Sequence, residues 1–77
     1  MSTYIATFFS HFGAIRFHKE LRDRGMTAKM MPVPRKVSSS CGTCVRFESA
    51  ELPAHNEDVE TMYRMEGDVL TQVYTNL

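Results

Sequence analysis

The chain has 77 residues, 43% hydrophobic and 23% charged, and its nine basic residues balance nine acidic ones to a net charge of zero. That length predicts a single domain spanning 1–77, and the charge balance argues against a dedicated nucleic-acid binder, which would show a basic excess. No apolar run approaches the ~20 residues needed to cross a bilayer. The start, Met1-Ser2-Thr3-Tyr4-Ile5-Ala6-Thr7-Phe8-Phe9, has neither the positive region nor the cleavage site of a secretion signal, so a cytoplasmic location is expected.

The β-branched and aromatic run from Thr3 to Phe9 predicts a strand buried on both faces. Ser10 suits the N-cap of a following helix. From His11 to Arg24 the apolar residues Ala14, Phe17 and Leu21 recur at helical spacing, with Ile15 beside them and Arg16, Lys19, Glu20 and Asp23 outside the stripe. Gly25 fits the left-handed position that ends a helix. Ala28 to Val33 predicts a second strand, which Pro32 and Pro34 place at a sheet edge. The serine-rich stretch Lys36 to Gly42 reads as a hairpin connection. Thr43, Val45 and Phe47 then alternate with Cys44, Arg46 and Glu48, predicting a third strand with one apolar face.

Ser49 to Asn56 is polar and holds Pro53; a second helix is predicted from there to Met65, with Val59, Met62 and Tyr63 turned inward. Gly67-Asp68 signals a turn, and Val69 to Tyr74 a last strand. The resulting order, β-α-β-β-α-β, predicts an α+β ferredoxin-like domain, an antiparallel sheet with two helices on one face. In that topology Cys41, the first helix's N-terminus (Ser10 and His11) and the end of the second helix (Arg64 to Asp68) share one rim. A domain this short buries only ~60% of its unfolded surface, and association often compensates, so a homo-oligomer is left open.

Chemistry concentrates in Ser38-Ser39-Ser40-Cys41-Gly42-Thr43-Cys44. Free cysteine is usually a small buried hydrophobe, but a serine-rich turn ending in glycine predicts an exposed, reactive thiol at Cys41. Reactivity requires the thiolate, which nearby positive charge favours. Arg35 and Lys36 supply such charge, and the first helix aims its partly positive N-terminus at the same rim. Ser39 and Ser40 can donate hydrogen bonds to a thiolate, and Gly42 lets the backbone turn closely beside it. His11 reads either as a base for Cys41 or as a solvated residue of the first helical turn.

Cys41 and Cys44 have the Cys-x-x-Cys spacing of redox dithiols, yet such pairs begin at a helix N-terminus, whereas this one enters a strand. Cys44 is thus either a resolving thiol or an ordinary strand cysteine. Zinc needs four ligands, and two cysteines with His11, His18 and His55 complete a site only with a second chain. Met30 and Met31 point to opposite faces of a strand, so the six methionines read as core filling.

The segment Pro32-Val33-Pro34-Arg35-Lys36-Val37-Ser38-Ser39-Ser40-Cys41-Gly42 resembles a family of small bacterial selenium/sulfur-carrier-like proteins, formerly known only as a domain of unknown function. Phe8-Phe9-Ser10 leading into the helix pattern of Ala14 to Gly25, and the strand Cys44-Val45-Arg46-Phe47, extend the resemblance over residues 4 to 48. It implies a cytosolic carrier that holds sulfur or selenium on Cys41 as a persulfide or selenopersulfide and delivers it to a partner enzyme. It further implies no organic cofactor, a protein donor such as a cysteine desulfurase or selenocysteine lyase, and a transfer intermediate rather than a stand-alone enzyme. Two other classes remain: a ferredoxin-like interaction or ligand-binding module with an incidental cysteine, and a metal-handling protein using Cys41 and Cys44. The fold by itself does not separate them.

Overall fold

The β-branched run at the start of the chain forms the middle strand of a five-stranded sheet. A computed structural model describes residues 1–51 and 57–76. Its elements are β1 (Ser2–Phe8), α1 (His11–Asp23), β2 (Ala28–Pro32), β3 (Thr43–Ser49), β4 (Val59–Glu66) and β5 (Val69–Thr75). The strand order is β2-β3-β1-β4-β5, every neighbouring pair antiparallel. β1 and β2 therefore run parallel with β3 between them, the split arrangement expected for the first half of the chain.

Helix α1 begins where the sequence places it. Ser10 is extended (φ −144°, ψ 159°), and its hydroxyl accepts the Gly13 N–H at 3.2 Å, satisfying one of the orphan donors of the first turn. Ala14, Phe17 and Leu21 bury against Tyr4, Ala6, Phe8, Val45, Phe47 and Met62. The Phe17 ring lies 5.3 Å from that of Phe8 and 5.6 Å from that of Phe47, tilted and edge-on respectively, as aromatic quadrupoles prefer. At the other end Gly25 takes φ +77° and donates its N–H to the Arg22 carbonyl at 2.9 Å.

The predicted second helix is corrected: Val59 to Glu66 is a strand, paired with β1 on one side and β5 on the other. The part of that prediction on residues 52–56, Pro53 and His55 included, lies outside the described residues. The register explains the misreading. Val59 pairs with Phe8 and Thr61 with Thr7, so Glu60 is an extra residue, a β-bulge. The bulge puts Val59 and Met62 on the same, helix-covered face, and a spacing of three imitates a helical stripe. With one helix among the described residues and an added edge strand β5, the domain is α+β but departs from the ferredoxin-like plan.

The connection 33–42 is more than a hairpin loop. Strand alternation puts Ile5 and Thr7 on the face away from α1, yet both are fully buried. Val37 of the connection is buried as well. Ser39 Oγ donates to the Phe8 carbonyl at 3.4 Å, and Ser40 donates to the Glu60 carboxylate. The Lys36 ammonium donates to the Asp68 carbonyl, in the β4–β5 turn at the far end of the sheet. The segment thus folds back as a flap across the face that α1 leaves open.

Gly13 marks a close approach between α1 and the chain entering β4. A Cβ there would stand 2.9 Å from Asp58 Cβ, and Asp58 also grips the Arg16 guanidinium at 3.1 and 2.8 Å. Replacing a helical glycine with alanine ordinarily stabilises by up to about 1 kcal/mol. Here overpacking outweighs that gain, and G13A is expected to lose about 1 kcal/mol or more. Urea midpoints decide the matter: a midpoint above wild type would show that Asp58 yields without cost.

Candidate functional site

Cys41 is half-buried at the C-terminal foot of the flap, one side against the edge of the core. Its S–H donates to the Thr43 carbonyl at 3.3 Å, and its N–H to Ser39 Oγ at 3.5 Å. Gly42 follows with φ +71°, a conformation other residues rarely adopt, and its carbonyl accepts the Val33 N–H at 3.1 Å. Thr43 Oγ1 lies 3.2 Å from His11 Nδ1, joining the cysteine segment to the start of α1.

The rim predicted from topology is therefore present in part. Ser10, His11, Cys41, Gly42 and Thr43 share it. The Ser10 hydroxyl is occupied by the helix cap, and His11 reaches Thr43 rather than the sulfur. Arg64 to Asp68, expected there as the end of a second helix, instead form the end of β4 and the β4–β5 turn, at the opposite end of the sheet. Arg35 is exposed on the flap and makes no hydrogen bond or ion pair with a described residue. His18 sits on α1, with Nε2 3.2 Å from the Ala28 carbonyl.

Glu60 is the residue that sequence reasoning missed. It is only 4% exposed, and its carboxylate accepts the Ser40 N–H at 3.3 Å, the Ser40 hydroxyl, and the Thr7 hydroxyl at 3.5 Å. No Lys or Arg forms an ion pair with it among the described residues. A buried carboxylate is tolerable only when hydrogen bonds replace its water, and the two Ser40 donors do so, with the Thr7 hydroxyl shared between Glu60 and the Thr61 carbonyl at 3.2 Å. Its effect is to pin Ser40, the residue before Cys41, to β4. A clue lay in Val59, Thr61 and Tyr63, β-formers that suit a helix surface poorly.

Cys44 lives in another environment. It is fully buried on the face shared with Thr7, its S–H 3.7 Å from the Pro32 carbonyl. Burial pushes its thiol up to about 11, and the neighbouring Cys41 charge adds to the shift. Both cysteines are free. Among the described residues no three His, Cys, Asp or Glu side chains converge to hold a metal ion.

Fold and site together define an α+β domain that presents a single accessible thiol on a flap tied to the sheet. A family model described as "Putative Se/S carrier protein-like" matches residues 3–64, and the chain belongs to that family. No curated protein and no solved structure matches the chain.

A thiol titrating near 11 is only ~0.01% ionised at pH 7. Iodoacetamide at pH 7–8 is therefore expected to label the native protein once, at Cys41, and C41S only after unfolding; labelling of native C41S at Cys44 would contradict this. The folded state also holds the Cys44 proton more tightly than the unfolded chain does. Stability from this source is present below the ordinary thiol range and falls as pH rises towards about 11. Urea midpoints across the alkaline range should fall more steeply for wild type than for C44A.

Removing the Glu60 carboxylate leaves the Ser40 N–H and hydroxyl without their acceptor, whereas the Thr7 hydroxyl keeps the Thr61 carbonyl at 3.2 Å. E60A is expected to cost roughly 1–3 kcal/mol. It should also speed amide exchange at Ser40 and Cys41 beyond the change at Val45. Uniform loss across the chain would mean that Glu60 stabilises the sheet and not the flap.

Proposed function

We propose that this protein carries sulfur or selenium on Cys41, as a persulfide or selenopersulfide, between a donor protein and an acceptor enzyme in the cytoplasm. The observation that carries the reading is the contrast between the two thiols: Cys41 is accessible on a pinned flap, whereas Cys44 is buried and held protonated. Membership of the carrier-like family supports it.

In the loading step the Cys41 thiolate attacks the outer sulfur of a donor persulfide. The new S–S bond forms on Cys41 as the donor's S–S bond breaks, and the donor leaves as its own thiolate. The sulfane sulfur moves without a net oxidant or reductant, and unloading is the same exchange towards the acceptor. A donor cysteine desulfurase or selenocysteine lyase would present such a group.

The neighbours have distinct parts in this scheme. Gly42 and the Ser39 and Ser40 hydrogen bonds fix the direction of the thiol. Ser10 and His11 close the rim beside it. Cys44 stays outside the exchange, because a thiol held protonated neither attacks nor resolves efficiently.

Intact mass of protein incubated with a cysteine desulfurase and cysteine tests the proposal. Wild type is expected to gain about 32 Da, one sulfur, reversed by dithiothreitol. C41S should gain nothing and C44A should load like wild type. A wild-type chain that gains no mass, or a C41S chain that does, overturns the assignment.

A further inference from the structure

The neutral net charge conceals a segregation. Of the nine Lys and Arg residues, Arg16, Lys19, Arg24 and Arg64 each form an ion pair with a carboxylate. Three of those pairs involve α1, and the fourth lies along β4. Lys29, Arg35, Lys36 and Arg46 form none among the described residues, and all four belong to the flap or to the sheet face that it crosses. Arg22, on α1, is the other cation without an ion pair among the described residues.

Lys29 and Arg46 are direct cross-strand partners on β2 and β3, both exposed. Like charges placed directly opposite in an antiparallel pair are destabilising, so the arrangement works against the fold that holds it. Glu48 lies two residues along on the same face yet pairs with neither. The Lys36 ammonium meets a backbone carbonyl at Asp68, not a carboxylate, and Glu60 has its carboxylate turned under the flap. Beside the two cations runs a shallow groove of about 220 Å³, lined by Thr27, Lys29, Arg46, Phe47 and Glu48.

We infer that this flap-covered face is a docking surface for an acidic patch on the protein that exchanges sulfur or selenium with Cys41. The inference rests on the carrier reading for the partner's role, but the surface itself rests on the charge arrangement. Carboxylates from the partner would replace the pairing that the face lacks and relieve the Lys29–Arg46 repulsion. They would also orient the partner over the flap that ends at Cys41. Such charges chiefly set encounter rate and register, which suits a carrier that must release its partner after each transfer.

The test titrates ¹⁵N-labelled protein with a short peptide of alternating Glu and Ala, at ~20 mM and ~200 mM salt, where screening differs strongly. Shifts are expected at the amides of Lys29, Arg35, Lys36 and Arg46, weakening with salt, and binding about tenfold weaker in K29E/R46E. Both positions are exposed, and a dispersed spectrum confirms that the variant folds. Shifts confined to α1, unchanged affinity in the variant, or tighter binding of oligothymidylate than of the peptide would each overturn the proposal, the last by assigning the face to nucleic acid.

Loading of Cys41 by inorganic polysulfide, which needs no docking, separates the two readings. K29E/R46E is expected to load at the wild-type rate. If wild type takes no sulfur from polysulfide, the carrier role falls and the partner assignment with it, while the peptide map still reports on the surface.

Discussion

The extra residue in β4 organises much of this small structure. Because Glu60 is inserted opposite the Thr7–Phe8 step, Val59 and Met62 both enter the core under α1. The displaced Glu60 meanwhile reaches the Thr7 hydroxyl and the flap. A regular strand would alternate Val59 and Thr61 on one face with Glu60 and Met62 on the other, exposing one core residue and burying a carboxylate against the aromatic rings. One inserted residue resolves that conflict. It also creates the acceptor that binds Ser40, so the position of the functional loop follows from the register of a strand well removed in sequence.

The same dependence explains how two cysteines separated by two residues differ so widely. The flap delivers Cys41 to the rim, where a glycine of positive φ turns the chain into β3. Cys44 is already a strand residue, and pleating sends its side chain beneath the flap beside Thr7. Desolvation then holds its proton, whereas Cys41 keeps a path to solvent. The Cys-x-x-Cys spacing therefore carries little meaning by itself, because a turn followed by a strand separates the two sulfurs into unlike surroundings.

The first half of the domain was legible because its signals are local. The Ser10 cap, the Ala14-Phe17-Leu21 stripe, Gly25 and the alternation of β3 each depend on residues a few positions apart, and each holds in the structure. The rim of Ser10, His11 and Cys41 follows from those elements by topology alone. Beyond Ser49 the local pattern misled, since the bulge turned a period of two into an apparent period of three to four. The flap was illegible for a different reason. Nothing between Val33 and Gly42 reveals that its contacts are Phe8, Glu60 and Asp68, which lie 20 to 32 residues away in sequence.

That flap has two duties, and they constrain each other. It covers Ile5 and Thr7, which a single helix on a five-stranded sheet leaves open, and it carries the thiol. In a domain of 77 residues little stability is spare. A flap loose enough to swing away would uncover the sheet beneath it. The hydrogen bonds at Ser39, Ser40 and Gly42 hold it against the sheet, with Cys41 at the rim. Under the proposed carrier role the partner comes to the rim, and the surface beside the thiol does the recognising. The cations along the flap and on β2 and β3, which form no ion pair among the described residues, lie on that surface, while the cations of α1 and β4 are largely neutralised by their own carboxylates. A fixed thiol and a charged approach are thus two consequences of one economy: a small core that needs its functional loop as a lid.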